Sequence, residues 1–229
     1  MRGVCRAILA SLAKDDREDR SCASAGFADS ISYGMSDKPP PPTKIELRIA
    51  ALARRTALSE AERSAAAQAI AARGLPFPVR AGSIVAGYSP IRSEIDPIPL
   101  MQHLAAQGAR LALPVIIARD EPLMFRLWSP SDALVRGSLG IPEPAPEAPP
   151  LIPDILLVPL AAFDHAGHRI GYGAGHYDRT FAQLHAIKPF IAVGVAFDTQ
   201  EIEAIPMQPH DVALDYVLTE TRTIDFRSI

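Results

Sequence analysis

The chain has 229 residues, 48% hydrophobic and 21% charged, and its 23 Lys and Arg against 26 Asp and Glu leave a formal charge of −3. At roughly 100–200 residues per domain this is one domain, or one domain with an extension, with enough apolar sequence to bury a core. The near-neutral balance offers no bulk positive charge for nucleic acid, no apolar run approaches the ~18 residues of a membrane-spanning helix, and the two cysteines, Cys5 and Cys22, stand in no ligand spacing.

Residues 1–42 read as a disordered extension that closes on the proline run Pro39–Pro42. DDREDR and SCASAGFADSIS carry no sustained period of 3.6 or 2, and such composition buries too little apolar surface to offset its ordering entropy. Met35 directly precedes the linker, so a second reading starts translation there; mass spectrometry of the natively expressed protein separates the two. The start of the chain lacks the long apolar centre and cleavage site of a secretory signal, and a cytoplasmic protein is expected.

The organised domain is expected over 43–229. Thr43 caps a helix from Lys44 to Arg55 whose apolar stripe is Ile45, Ile49 and Leu52. Ser59 with Glu62 forms a capping-box pattern ahead of an Ala-rich helix that stops at Gly74. Ser83–Tyr88 reads as a strand, Pro97–Gln107 as a helix closed by Gly108, and Leu111–Ile117 and Leu123–Trp128 as strands joined by the turn ARDEP. Residues 141–153, IPEPAPEAPPLIP, form an extended loop, because proline has no N–H for a ladder. Asp154–Val158, after its first residue, and Phe190–Phe197 are apolar throughout, as strands buried on both faces are, and a glycine-rich loop and a helix at His176–Ala186 lie between them. This βαβ pattern predicts one α/β domain, three layers deep (α/β/α), with a largely parallel central sheet.

The segment Arg169–Arg179, RIGYGAGHYDR, carries the chemistry. Gly171, Gly173 and Gly175 let the backbone turn tightly and approach a bulky anion. The helix that follows offers free N–H groups and a positive dipole end to phosphate. Arg169 and Arg179 flank the loop as candidate catalytic cations for phosphate oxygens, and Asp178 adds a hard carboxylate suited to a magnesium ion bridging those phosphates. The spacing is neither a Rossmann fingerprint nor a P-loop. From spacing alone, a tight turn with surface Arg–Asp pairs stays open beside the phosphate reading.

Val158-Pro159, Ala162-Phe163-Asp164, Gly167 and Arg169–Arg179 together resemble the signature of the 5-formyltetrahydrofolate cyclo-ligases, also called 5,10-methenyltetrahydrofolate synthetases, whose pattern is close to vPg.aFd..G.RlGyGgGyYDR. The likeness continues at Lys44–Arg48, Tyr88, Glu94-Ile95, Leu113-Pro114, Gly140-Ile141, Glu143-Pro144, Gln200, Pro206, His210-Asp211 and Thr219-Glu220. It departs at Ala174, where the family often has glycine, and at His176, where it has tyrosine.

The resemblance implies ATP- and magnesium-dependent conversion of 5-formyltetrahydrofolate to 5,10-methenyltetrahydrofolate by a ligase that forms a carbon–nitrogen bond; the sequence does not set the oligomeric state, and a monomer is the expectation. A formyl oxygen is a poor leaving group; phosphorylation makes it a good one, and N10 then closes the ring. Such a reaction asks for positioning and charge neutralisation rather than a protein nucleophile. By the same resemblance Lys44, Arg48 and the run Arg169, Gly171, Tyr172, Gly173, Ala174, Gly175, His176 and Tyr177 hold ATP. Asp178 and Asp211 hold the metal, with Asp164 either in reserve or fixing a turn after the buried strand. Tyr88, Glu94, Glu143 and His176 meet the folate, Met124 and Trp128 are possible apolar walls though more often core at alternating strand positions, and Arg55 and His210 are secondary. His103, His165, His168 and His185 read as surface residues. Two other readings are a sugar-phosphate isomerase-like enzyme and a non-catalytic module that binds nucleotide or folate.

Overall fold

In the computed structural model, which describes residues 41–208 and 211–227, the first two helices begin where their caps predict. The Thr43 and Ser59 hydroxyls accept from the N–H groups of Glu46 and Glu62, whose carboxylates accept in return from the cap N–H groups. Helix α1 (Lys44–Thr56) and helix α2 (Glu60–Arg73, closed by Gly74 at φ 72°) follow. All but Pro41 and Pro42 of the expected extension, together with Met35, the cysteines and His210, lie outside the described residues.

The remaining elements are β1 (Ile84–Ala86), α3 (Ile98–Ala106), β2 (Arg110–Val115), β3 (Met124–Leu127), β4 (Leu134–Arg136), β5 (Pro142–Pro144), β6 (Pro150–Leu151), β7 (Ile155–Pro159), β8 (Ala162–Phe163), β9 (Arg169–Ile170), α4 (His176–Ile187), β10 (Ile191–Val195), a 3-10 turn (Asp198–Gln200), β11 (Tyr216–Leu218) and β12 (Thr223–Asp225). Eight strands form one sheet in the order β12-β11-β10-β7-β1-β2-β3-β6. The five from β11 to β2 are parallel, and β12, β3 and β6 run antiparallel to their neighbours at the two edges. Val85 registers with Ile155 on one side and Leu111 on the other.

Alternation along β7 divides the core. Ile155 and Leu157 join Ile70 of α2 and Leu100, Met101 and Leu104 of α3 on one face. Leu156 and Val158 join Phe181 and Leu184 of α4 on the other. The three layers expected from the βαβ pattern are therefore present. No helix among the described residues is long and apolar enough to cross a membrane.

Two expectations are corrected. Two of the three stripe residues of α1 do not face the protein: Ile45 and Ile49 are each 63% exposed, while Leu52 packs with Leu47 and Ala51 against Ala161, Ala162, Ile170 and Ile205 and the Arg55 side chain is buried. The inward face is thus partly cationic, and a reading that looks only for apolar periodicity selects the wrong side. The proline-rich stretch also holds two short strands, β5 paired with β4 and β6 paired with edge strand β3. Proline tolerates both places because the ladder there asks it only to accept, or leaves its missing donor facing away.

The chain leaves β1 through α3 to β2 on one side, returns at β7 on the other side of β1, and moves away again through α4 to β10. Between β1 and β7 the connections diverge on opposite faces, which opens a crevice at their carboxyl ends.

Candidate active site at the carboxyl ends of the sheet

A cavity of about 400 Å3 fills that crevice. Tyr88 and Ser89 reach it from just beyond β1, Pro114 and Ile116 from the end of β2, Pro159 from the end of β7, and residues 169–178 wrap one side. Lys44 and Arg48 enter from the inward face of α1. Every expected ATP-binding residue lines this space, as do Tyr88, Glu94, Glu143, Asp178 and Asp211.

Its cations are held by specific partners. Arg48 Nε donates to the Gly171 carbonyl at 2.7 Å, and a Cβ on Gly173 (φ 96°) would lie 3.5 Å from Arg48 Nη1, so loop backbone and guanidinium pack in contact. Lys44 Nζ pairs with the Asp211 carboxylate. Arg169 is buried, with Nη1 donating to the Val212 carbonyl and Nη2 to Asp178 Oδ1, each at 2.5 Å, and its guanidinium 4.3 Å from the centre of the Phe181 ring. Burial lowers the Arg169 pKa, Asp178 and Asp211 push it back up, and the group stays a cation. Gly175, at φ 68°, is the N-cap of α4, a left-handed position that suits glycine. Ala174 is not among the positive-φ residues, so a side chain is tolerated there.

Arg179 stands apart. It does not line the cavity; its Nη2 donates to the carbonyls of Ala174 (2.6 Å) and Arg119 (3.1 Å) and so braces the loop from behind. Phosphate contact was expected of this side chain; in this structure its bonds are to the backbone carbonyls of Ala174 and Arg119. His176 donates from Nδ1 to the Glu121 carbonyl at 3.0 Å, which fixes its tautomer and leaves Nε2 buried without a partner.

The acidic side of the cavity is mostly buried. Glu143 accepts from the Ile116 N–H at 3.1 Å, and a Cβ on Gly137 would fall 2.1 Å from Glu143 Cδ, so a side chain there would displace the carboxylate. Glu94 accepts from the Ile91 N–H at 2.8 Å. Burial pushes its carboxyl above the usual glutamate range, against the opposing pull of its hydrogen bonds and of Arg55 and Arg92. Burial also raises the Tyr172 hydroxyl to about 12. The Tyr88 hydroxyl donates to the Ile95 carbonyl at 2.8 Å.

The raised Glu94 pKa makes a stability prediction. Below its ordinary value of 4.5 the carboxyl is protonated whether or not the chain is folded. As pH rises the unfolded chain ionises first, so stability is lost until the pH passes the folded pKa. Glu94→Gln removes this loss while keeping an acceptor for Ile91. Its melting temperature relative to wild type should rise between pH 4 and pH 8, and a flat difference would show that Glu94 ionises normally in the folded chain.

For Trp128 and Asp164 the structure has the core and turn readings rather than the site ones. Trp128 belongs to the core layer beneath α2 and α3, and Met124 is partly exposed; neither lines the cavity. The apolar wall comes instead from Ile116, Leu123, Leu139 and Ile141. Asp164 is buried away from the cavity and accepts from the N–H groups of Ala166, His168 and Ile205, each at 3.0 Å, while its other contact is His168 Nδ1. It is a turn residue, and His168 is half-buried rather than free on the surface. Gln208, which no motif flagged, completes the rim.

Among the described residues no three His, Cys, Asp or Glu side chains gather to cage a metal. Of the four carboxyl side chains lining the cavity, Asp178 and Asp211 are the two that act on Arg169. That set suits magnesium, which takes one or two carboxylates and completes its shell with water and phosphate oxygens.

The model of the 5-formyltetrahydrofolate cyclo-ligase family matches residues 41–220. The chain belongs to this family. It is 37% identical over 198 residues to the 5-formyltetrahydrofolate cyclo-ligase of Mycolicibacterium smegmatis, covering 80% of this chain and 97% of that protein. With the enzyme of that name from Escherichia coli K12 it shares 34% over 177 residues, 74% of this chain and 96% of the other. The NMR structure of Aquifex aeolicus 5,10-methenyltetrahydrofolate synthetase superposes with a TM-score of 0.66 at 32% identity, covering 80% of this chain and 93% of that one. A 5,10-methenyltetrahydrofolate synthetase from Mycoplasma pneumoniae gives 0.60 at 26%, covering 77% and 98%.

Proposed function

We propose that this cyclo-ligase family member converts 5-formyltetrahydrofolate to 5,10-methenyltetrahydrofolate, with ATP becoming ADP and phosphate. The observation that carries the reading is the meeting, in one cavity, of three cations from distant parts of the chain (Lys44, Arg48 and Arg169), a glycine-rich loop, and the inward carboxyl groups Glu94 and Glu143. Cations and loop amides suit a triphosphate, and carboxyl groups suit the N–H edge of a pterin.

In the first step the formyl oxygen takes the γ-phosphoryl group and ADP leaves. Lys44, Arg48 and Arg169 offset the charge on the phosphates and hold them in line, and no side chain serves as a nucleophile. In the second step N10 bonds to the formyl carbon and loses its proton, and phosphate departs with the former formyl oxygen. Glu143 and Glu94 orient the pterin, while Ile116, Leu123, Leu139 and Ile141 keep water from the activated formyl group. Asp178 and Asp211 would hold a magnesium ion, which supplies charge neutralisation at the phosphates when bound.

Formation of the methenyl chromophore from 5-formyltetrahydrofolate should require both ATP and magnesium. Nucleotide binding with no chromophore would leave a binding module instead. Arg48→Ala removes a charge-assisted contact, so KM for ATP should rise about 10–100-fold while KM for folate moves little. Equal losses for both substrates would reduce Arg48 to packing.

A further inference from the structure

Helix α1 continues past the cavity to a second one of about 480 Å3, bordered by Arg55, Thr56, Arg63, Arg92, Ser93 and Tyr172. Arg48 and Arg55 are seven residues, about 10 Å, apart along the helix. Tyr172 borders both cavities, and of the adjacent pair Ser93 and Glu94 one side chain faces each. The partition is therefore a single aromatic ring and one turn of backbone.

This second cavity is basic, and Glu94, which faces the other cavity, acts on Arg55 and Arg92 from across Tyr172. Among the described residues no carboxylate oxygen lies within ion-pair distance of Arg55, Arg63 or Arg92. Buried Arg55 donates to Ser93 Oγ (3.1 Å), the Leu160 carbonyl (3.3 Å) and the Tyr172 hydroxyl, all neutral groups. Arg63 donates to the Leu58 carbonyl. Arg92 is exposed and is the one described non-glycine residue at positive φ, 56°, a conformation with a steric cost for an L-residue. The hydroxyls of Thr56 and Ser93, 3.2 Å apart, add donors. Three guanidinium groups and two hydroxyls lining one concavity are the complement of an oxyanion, and planar guanidinium forks match carboxylates in particular.

The folate of the proposed reaction, on which this inference rests, ends in a glutamyl group with two carboxylates. In the main cavity Lys44, Arg48 and Arg169 serve the phosphates, and Glu94 and Glu143 repel further negative charge. Past Tyr172 lie three more cations that could meet that tail. We infer that the Arg55, Arg63 and Arg92 cavity seats the glutamyl carboxylates of the folate, with Tyr172 as the partition the molecule crosses. A nucleotide phosphate presents the same oxyanion chemistry and is the rival source.

The test measures, by calorimetry on the whole protein, the affinities of 5-formyltetrahydrofolate, of 5-formyltetrahydropteroate (which lacks the glutamate) and of ATP. Wild type is compared with Arg92→Gln, an exposed change, and with Arg63→Gln/Arg92→Gln, each checked for an unaltered melting curve; Arg92→Gln alone decides the matter should the double variant not fold. In wild type the glutamate should strengthen folate binding about ten-fold or more. The single variant should lose part of that advantage and the double variant most of it, with pteroate and ATP affinities unchanged. An undiminished advantage in the variants, equal affinities of the two folates for wild type, or weakened ATP binding with folate unaffected would each overturn the inference. Failure of both folates to bind wild type would overturn the proposed function, and this inference with it.

Discussion

Asp178→Asn should cut turnover about 10²–10³-fold, the range seen when one preorganised group that stabilises a transition state is removed. Asp178 lies in the first turn of α4, borders the cavity, and accepts from Arg169 Nη2 at 2.5 Å. Asparagine keeps an oxygen for that hydrogen bond and loses the charge, so the phosphates would lose a metal carboxylate while the fold loses only a partly screened ion pair. The Asp178 side chain is 34% exposed against 5% for Arg169, and the stability cost should be about 1 kcal/mol, a melting temperature lower by a few degrees. Raising magnesium should recover part of the rate. Turnover within ten-fold of wild type would remove Asp178 from the metal shell.

Asp164→Ala should do the reverse, unfolding the protein readily while sparing the chemistry. The carboxylate takes three backbone N–H groups, two from its own turn and one from Ile205, and these join the β8–β9 hairpin to the segment after the 3-10 turn. Alanine leaves those donors without acceptors and His168 without its partner. The expected loss is about 3–5 kcal/mol, or roughly 6–20 °C in melting temperature for a domain of this size. At a temperature where the variant is folded, KM for ATP and the magnesium requirement should be as in wild type. A stable variant with a shifted magnesium requirement would return Asp164 to the metal.

What the sequence made legible follows from how local each determinant is. The caps at Thr43 and Ser59 are satisfied within three residues, and the two fully apolar strands at 155–159 and 191–195 have no stable place except the middle of a sheet. The glycine-rich loop was legible because its backbone conformation and its helix are encoded side by side. Positions decided by distant partners were not. Arg169 and Arg179 look equivalent from the loop, yet one is drawn inward by Val212 and Asp178 and the other outward by Arg119. Asp164 and Asp178 offer the same carboxylate, and only the N–H groups of Ile205 and the turn distinguish a clamp from a cavity residue. Helix α1 misled because it covers a charged site, so its inward face carries Lys44, Arg48 and Arg55 where an apolar stripe would cover a core.

The grip on the triphosphate carries everything else, and a crystal structure with magnesium and a non-hydrolysable ATP analogue examines it. The phosphates should rest on the amides of residues 171–175 with Lys44, Arg48 and Arg169 within hydrogen-bond reach. A nucleotide bound elsewhere, or bound here with those three side chains turned away from it, would contradict the mechanism.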